Sequence, residues 1–446
     1  MTEAKNKIQI PKDWKWEKLE DALDFVIGGD WGKDENFEDS NYGLAYCIRG
    51  SEIKNWENEK GQTASLRKIK LSNIEKRKLQ EGDILVEISG GGPEQPVGRT
   101  VLIDKTVLRY EPQTPKICTN FLRLIRPKKY VEGKFLNLYL KLFYYSGEIV
   151  KYQGGSNNLR NLKFPDYVKI NFPLPPKPTQ QAIVSKIEEL FSELDKGIET
   201  LRLAQQQLKT YRQSVLKWAF EGRLTNEIVK EGELPEGWRW MQSGDFFDFV
   251  TSGSRGWAKY YADQGAIFIR ITNLDFDSLE LDLNLKKIQY VNPPLTSEGI
   301  RTKVQEGDFL FSITGYLGML AIAPKLENAF VNQHVCLCRP KNNFNKRYLG
   351  YWIISKSGGH HYLNKNQKGA VKAGLNLDDL KSFPVPLCTV EEQNKIVKEI
   401  ESRLSVSDKM EECINESLQQ AEALRQSILK KAFEGRLIPI NENSRN

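Results

Sequence analysis

The side chains that could do chemistry in this chain are hydrogen-bonding ones gathered at loop positions. In the first half they are Arg49, Ser89 and Arg99, flanking a Gly90 to Gly92 run, and then Ser156, Asn157, Asn158 and Arg160 in GGSNNLRNL. In the second half they are Arg270, Thr314, Tyr316, Lys368, Lys372 and Asn376. Arg donates two hydrogen bonds to guanine, and Asn or Gln pairs with adenine in the same bidentate way, so these residue types suit the reading of base edges. Lys and Arg add the phosphate contacts that supply affinity and fix register. Each position also has a structural reading. Gly90 to Gly92 make a turn or admit a close ligand, Asn157 and Asn158 satisfy loop backbone or read bases, and Arg49 and Arg270 contact DNA or form ion pairs at a core edge. Trp14, Trp16, Trp238 and Trp240 are read as packing, because Trp buries large areas.

Catalysis has little support. Asn292-Pro293-Pro294-Leu295 is similar to the tetrapeptide with which adenine methyltransferases hold a flipped base, but Leu295 stands where an aromatic residue stacks. No Gly-x-Gly cofactor loop lies near it, and the other half has no copy. No Gly-x-x-x-x-Gly-Lys phosphate loop is present, which argues against an ATP-driven motor. No catalytic residue and no metal ligand is assigned. His334, His360 and His361 lack ligand spacing, and six scattered cysteines read as reduced thiols, with Cys336 and Cys338 facing one side of a strand.

The 446 residues carry 65 basic and 58 acidic side chains, with 39% apolar and 10% aromatic content, as expected of a soluble globular protein of at least two domains. No secretion signal or membrane span is visible, so a cytoplasmic location without membrane contact is expected. The net charge of +7 is unevenly placed. Residues 329–377 hold eight Lys or Arg and no acid, and residues 121–164 hold nine against Glu132 and Glu148. Basic blocks at matching places predict two polyanion-binding surfaces.

The elements that position these residues are duplicated. RQSVLKWAFEGRL (Arg212 to Leu224) returns as RQSILKKAFEGRL (Arg425 to Leu437), with eleven identities. PKDWKWEKLEDALDFV is answered by PEGWRWMQSGDFFDFV, EGDILVEISGGG by EGDFLFSITGYLG, and FLRLIRP by HVCLCRP. Each Glu-Gly-Asp predicts a turn into a strand that ends at a glycine-rich loop. After FPLPP and FPVP, each half continues as a long helix. Ile183, Ile187, Leu190, Leu194, Gly197, Leu201, Ala204, Leu208, Tyr211, Val215 and Trp218 step by 4 and 3, a coiled-coil seam about 52 Å long. The second seam is interrupted at Arg403, Ser407, Ser417 and Lys431, and Gly222 and Gly435 are read as the residues that end the helices. The expected fold is α+β. Two similar mixed α/β domains (1–178 and 224–386) alternate with long helices (179–223 and 387–446), which pair antiparallel as a coiled-coil spacer with an internal pseudo-twofold repeat.

GGSNNLRNL leading to FPLPPKPTQQAIVSKI, its counterpart GAVKAGLNLDDLKSFPVPLCTVEEQNKIVKEI, and the two RQSxLKxAFEGRL ends resemble the specificity subunit of type I restriction-modification enzymes over nearly the whole chain. The resemblance implies two target-recognition domains, each reading one half of an asymmetric bipartite sequence in double-stranded DNA, with the helices as a ruler. It implies a non-catalytic subunit that holds no cofactor. S-adenosylmethionine, ATP and Mg would sit on its partners, two methylation subunits and the restriction subunits. The polar residues of the repeated helix end, Arg212, Gln213, Lys217, Glu221 and Arg223 with Arg425, Gln426, Lys430, Glu434 and Arg436, would be partner-docking positions. The remaining alternative is a coiled-coil scaffold that binds protein or RNA.

Overall fold

In a computed structural model the described residues are 10–92, 95–155, 159–226, 229, 233–294, 297–365 and 374–438. The chain divides into two units. The first is Met1–Thr200 with Ser417–Asn446, and the second is Leu201–Glu416. The two 44-residue helices, Lys177–Phe220 and Val390–Phe433, are therefore each shared between the units.

Each unit is built around a four-stranded antiparallel sheet. In the first unit the strand order is Leu23–Gly28, Leu122–Pro127, Ile84–Glu87, Thr100–Leu102. In the second it is Phe247–Ser252, Val335–Pro340, Phe309–Ser312, Leu320–Ile322. Both faces of the central strands are covered, so Ile84, Leu85 and Val86 and their counterparts Phe309, Leu310 and Phe311 are fully buried. A two-stranded ribbon closes each unit. Lys15–Lys18 pairs with Asn171–Leu174, and Arg239–Gln242 pairs with Pro384–Leu387. The prolines of FPLPP and FPVP lie in these outer ribbons, where a missing N–H is tolerated.

The Glu-Gly-Asp turns carry more than a change of direction. Asp83 is fully buried, accepts a hydrogen bond from Gln80 N and receives the Arg126 guanidinium on both oxygens at 2.7 and 2.8 Å. Asp308 repeats this with Gln305 N and Arg339, at 2.8 Å from the amide and 3.0 and 2.9 Å from the guanidinium. The arginine of each Arg-Pro strand end thus neutralises the aspartate of each turn. The basic blocks are diluted in the same way. Lys134, Lys141 and Lys151 face Glu188, Glu57 and Glu148, and Arg347 faces Glu280, so sequence counts overstate the free positive charge of these segments.

A buried glutamine begins each long helix and ties it to its domain. Gln180 accepts from Glu132 N at 2.7 Å and donates to Pro175 O at 2.8 Å. Gln393 accepts from Asn345 N at 2.8 Å and donates to Cys388 O at 2.9 Å. Both are 1% exposed.

Within each unit the two helices run antiparallel. In the second unit Gln205 bonds Asn415, and Arg212 bonds Asp408 at 2.5 Å and Glu411 at 3.0 Å. In the first unit Arg425 pairs with Asp195 and lies over the Phe191 ring, 4.6 Å from its centroid. Arg212 and Arg425 are equivalent in the repeat, and so are Asp408 and Asp195.

The seam departs from the expected heptads at its end. Tyr211 and Trp218 are 40% and 43% exposed, whereas Val215, Leu216, Ala219 and Phe220 are buried. The last turns pack on the domain, in buried clusters that also hold the first turns of the other helix. Phe220 meets Tyr348 and Trp352, each at 5.1 Å between ring centroids, and in the first unit Phe433 meets Phe135 at 5.0 Å.

Gly222 and Gly435 end the helices as expected, with φ of 77° and 71°. Arg223 N and Arg436 N reach back to Trp218 O and Lys431 O, the long bond of a Schellman motif. Trp14 and Trp238 are packed, but Trp16 and Trp240 are about half exposed on the ribbons. Five of the six cysteines are buried and none is in a disulfide. Among the described residues no helix is long and apolar enough to cross a membrane, and no cluster of His, Cys, Asp and Glu could hold a metal ion.

Candidate nucleic-acid interface

Three chain segments far apart in sequence meet where the central strand of each sheet ends. In the first unit Ser89–Gly91 continues from the central strand and pairs with Arg160–Leu162, which in turn pairs with Gln153–Gly154. Asn161 lies opposite Ser89, and Arg160 opposite Gly91. Leu162 N donates to Ile88 O, and Ile88 N donates to Phe121 O, both at 2.9 Å. In the second unit Thr314 bridges Gly374, Leu375 N donates to Ile313 O, and Ile313 N donates to His334 O, the last two at 3.0 Å. Ile88, Leu162 and Phe121 thus correspond to Ile313, Leu375 and His334.

This convergence brings together Ser89 and Arg160 in the first unit, and Thr314 with the Gly374 to Asn376 segment in the second. Arg160 donates to Gly155 O at 3.3 Å. Asn376 N is held by the Asp379 carboxylate at 2.7 Å, and Tyr316 is 71% exposed. Ser156, Asn157, Asn158, Lys368 and Lys372 lie outside the described residues. The glycine run is explained by its own backbone. A Cβ on Gly91 would stand 2.7 Å from Val97 N and 2.8 Å from Gln95 O, so this close approach is within the protein.

The remaining arginines are occupied. Arg99 donates to both oxygens of Glu87, at 2.8 and 2.5 Å, and to Gly50 O at 3.3 Å. Glu87 is 1% exposed, so the pair ties the strand end to the loop that follows Tyr42–Ile48. The second unit has Ser312 at the place of Glu87, bonded to Tyr316 O and Met319 N, and has no carboxylate there. Arg49 is paired with Glu52, which also takes the Arg49 backbone N–H. Arg270 has Asn273 in the equivalent role for its backbone, and its guanidinium donates to Lys287 O at 3.0 Å. Of the two readings open for Arg49, its geometry is that of the ion pair.

The residue-type search missed Phe121, Gln333 and His334 at this convergence. A search for strand ends at matching places in the repeat would have found them. Phe121 is 53% exposed, an apolar ring where the second unit has an imidazole.

The family model for the type I restriction modification DNA specificity domain matches residues 11–201 and again residues 235–420. The chain belongs to this family. It is a specificity subunit of the type I restriction-modification kind, a DNA-recognition component and not the catalytic one. It is 31% identical over 279 residues to the type I restriction enzyme EcoBI specificity subunit of Escherichia coli, covering 59% of this chain and 58% of that one. It is 24% identical over 445 residues to the StySPI specificity subunit of Salmonella potsdam, covering 97% and 91%. Among solved structures, a chain of a type I R-M system complex superposes with TM-score 0.69 at 18% identity, covering 96% of this chain and 99% of that one. The HsdS subunit from Thermoanaerobacter tengcongensis gives 0.54 at 19%, over 96% and 98%. At these identities the superpositions speak for the fold alone.

In the specificity subunit most polar residues of the repeated helix end have partners inside the chain. Arg212 and Arg425 pair across the helices. Gln213 accepts from Lys356 N at 3.0 Å, Glu221 faces Lys217 and Arg223, and Glu434 faces Arg436. Gln426 is half-buried, whereas Lys430 is exposed.

Proposed function

We propose that the two domains read two different half-sites of one interrupted, asymmetric DNA sequence, and that the paired helices fix the spacing between them. The observation that carries this reading is the repeated three-segment convergence, alike in backbone and different in side chains. A shared frame with divergent loops suits two DNA words read in one way. Ser89, Arg160, Thr314, Tyr316 and Asn376 are proposed to contact DNA directly, joined by Ser156, Asn157, Asn158, Lys368 and Lys372 from the adjoining sequence. Arg49, Arg99 and Arg270 are proposed to contribute by shaping the loops next to the duplex.

The chain itself holds no cofactor. S-adenosylmethionine, ATP and Mg belong to two methylation subunits and to restriction subunits, all acting in the cytoplasm. The methylation subunits dock through the repeated helix ends, where Lys217, Trp218 and Lys430 are open to a partner and the other polar residues of the repeat support them.

The test is methylation mapping in a host carrying this system, with duplex retention by the purified complex as a function of salt. Modified bases in two fixed half-sequences at one spacing, with binding that weakens as salt rises, are expected. A single uninterrupted site, or retention insensitive to salt, would sink the reading.

A further inference from the structure

Between the strands Ala329–Val331 and Val335–Pro340 only Asn332, Gln333 and His334 make the turn. The turn is held from several sides. The Asn332 carboxamide accepts from His334 N at 2.9 Å, Asn332 N donates to Ile269 O at 3.1 Å, and Gly253 N donates to Asn332 O at 3.2 Å. A Cβ on Gly253 would stand 2.5 Å from the Asn332 backbone, so the contact admits only glycine. Gln333, at the tip, is half-buried.

The side chains form a relay. Gln333 Nε2 is 3.1 Å from His334 Nε2, and His334 Nδ1 is 2.7 Å from Thr314 Oγ1. An amide nitrogen only donates, so His334 Nε2 accepts, and its ring proton sits on Nδ1 and goes to Thr314. One Gln333 N–H and the Gln333 Oε1 then remain as a donor and an acceptor in the plane of one amide. Adenine shows the complement in the major groove, N7 accepting and N6 donating.

We propose that Gln333, positioned by His334 and Thr314, is a specificity-determining residue that reads an adenine in the half-site of the second unit. The first unit has no such relay, because Phe121 stands at the place of His334. Its exposed ring suits a thymine methyl or a base step, so the two half-sites are read by different chemistry at the same point of the frame. The inference rests on the DNA-reading role proposed above for these loops.

The experiment uses the chain assembled with its methylation subunits, and duplexes in which every position of both half-sites is varied singly. Gln333→Ala is expected to lower the preference for adenine at one position of one half-site about tenfold or more. Gln333→Glu, which keeps the acceptor and loses the donor, shifts that position toward cytosine, whose N4 donates. His334→Phe, which removes the ring that positions Gln333 and leaves Thr314 in place, weakens the same preference, and selectivity in the other half-site is unchanged by all three. Unaltered discrimination in Gln333→Ala, or a uniform loss of affinity for every duplex with preferences intact, overturns the proposal while DNA reading stands. Wild-type complex without any base preference overturns the underlying reading instead. Gln333→Asn, which keeps both groups on a shorter arm, guards against a folding defect and loses the adenine preference at an unchanged melting temperature.

Discussion

Asp83 and Asp308 show what single residues contribute to the frame. Each is buried with its charge answered by one arginine and one backbone amide. Asp83→Ala would leave Arg126 half-buried without its counter-charge, a loss of about 2–4 kcal/mol measurable from urea midpoints, and Asp308→Ala should match it in the second unit. Glu298 offers a test by pH. Partial burial opposes its ionisation, but hydrogen bonds from the Trp257 indole at 2.6 Å and from Ser254 N at 2.9 Å outweigh this and hold its pKa below the usual carboxylate range. A depressed pKa stabilises the fold above the unfolded value, and that contribution is lost as pH falls through the folded one. Melting temperatures between about pH 5 and pH 3 should therefore fall less steeply in Glu298→Gln than in the wild type.

The same economy appears among elements. Gln180 and Gln393 each satisfy a helix-entry amide and a proline-hinge carbonyl or its equivalent, and Gln180 also donates to Tyr130 O, so Gln180→Ala leaves three backbone groups open. A cost of roughly 2–3 kcal/mol is expected, and Gln180→Met, which fills the space without the bonds, should recover little of it. The cross-helix pairs are worth less, because Asp408 and Asp195 are about 60% exposed. A double-mutant cycle on Arg212 and Asp408 should return about 0.5–1 kcal/mol and weaken with salt.

The duplication, the glycine helix ends and the Glu-Gly-Asp turns were legible because they are local patterns. The glutamine ties, the Asp83–Arg126 and Asp308–Arg339 pairs and the loop convergence were not, because they join segments tens of residues apart. The heptads overran at Trp218 for a related reason. Periodicity reports that a helix has an apolar face, but not which neighbour covers each turn of it. Phe121 was passed over and His334 was weighed only for metal or catalytic chemistry, because residue type was searched ahead of position, and Ser89 and Arg160 were found as separate loops with no sign that they share a sheet.

At the scale of the molecule, the two long helices are each shared between the units. Deleting seven residues from each, at matched places that keep the apolar faces in phase, should shorten the preferred spacing between half-sites and leave both half-sequences unchanged in a methylation map. A changed half-sequence at the original spacing would contradict the ruler.

The division of the chain also orders its folding. The second unit is one continuous stretch, Leu201–Glu416, and its parts have all been synthesised before Ser417 is added. The first unit draws on Ile428, Leu429, Ala432 and Phe433 to cover Phe135 and its neighbours. During synthesis the later half of the sequence can therefore consolidate first, while the earlier half waits with an open core. A chain cut short after Glu416 would keep one finished reader and leave the other uncovered, exposed to the chaperones and proteases that remove unfinished proteins.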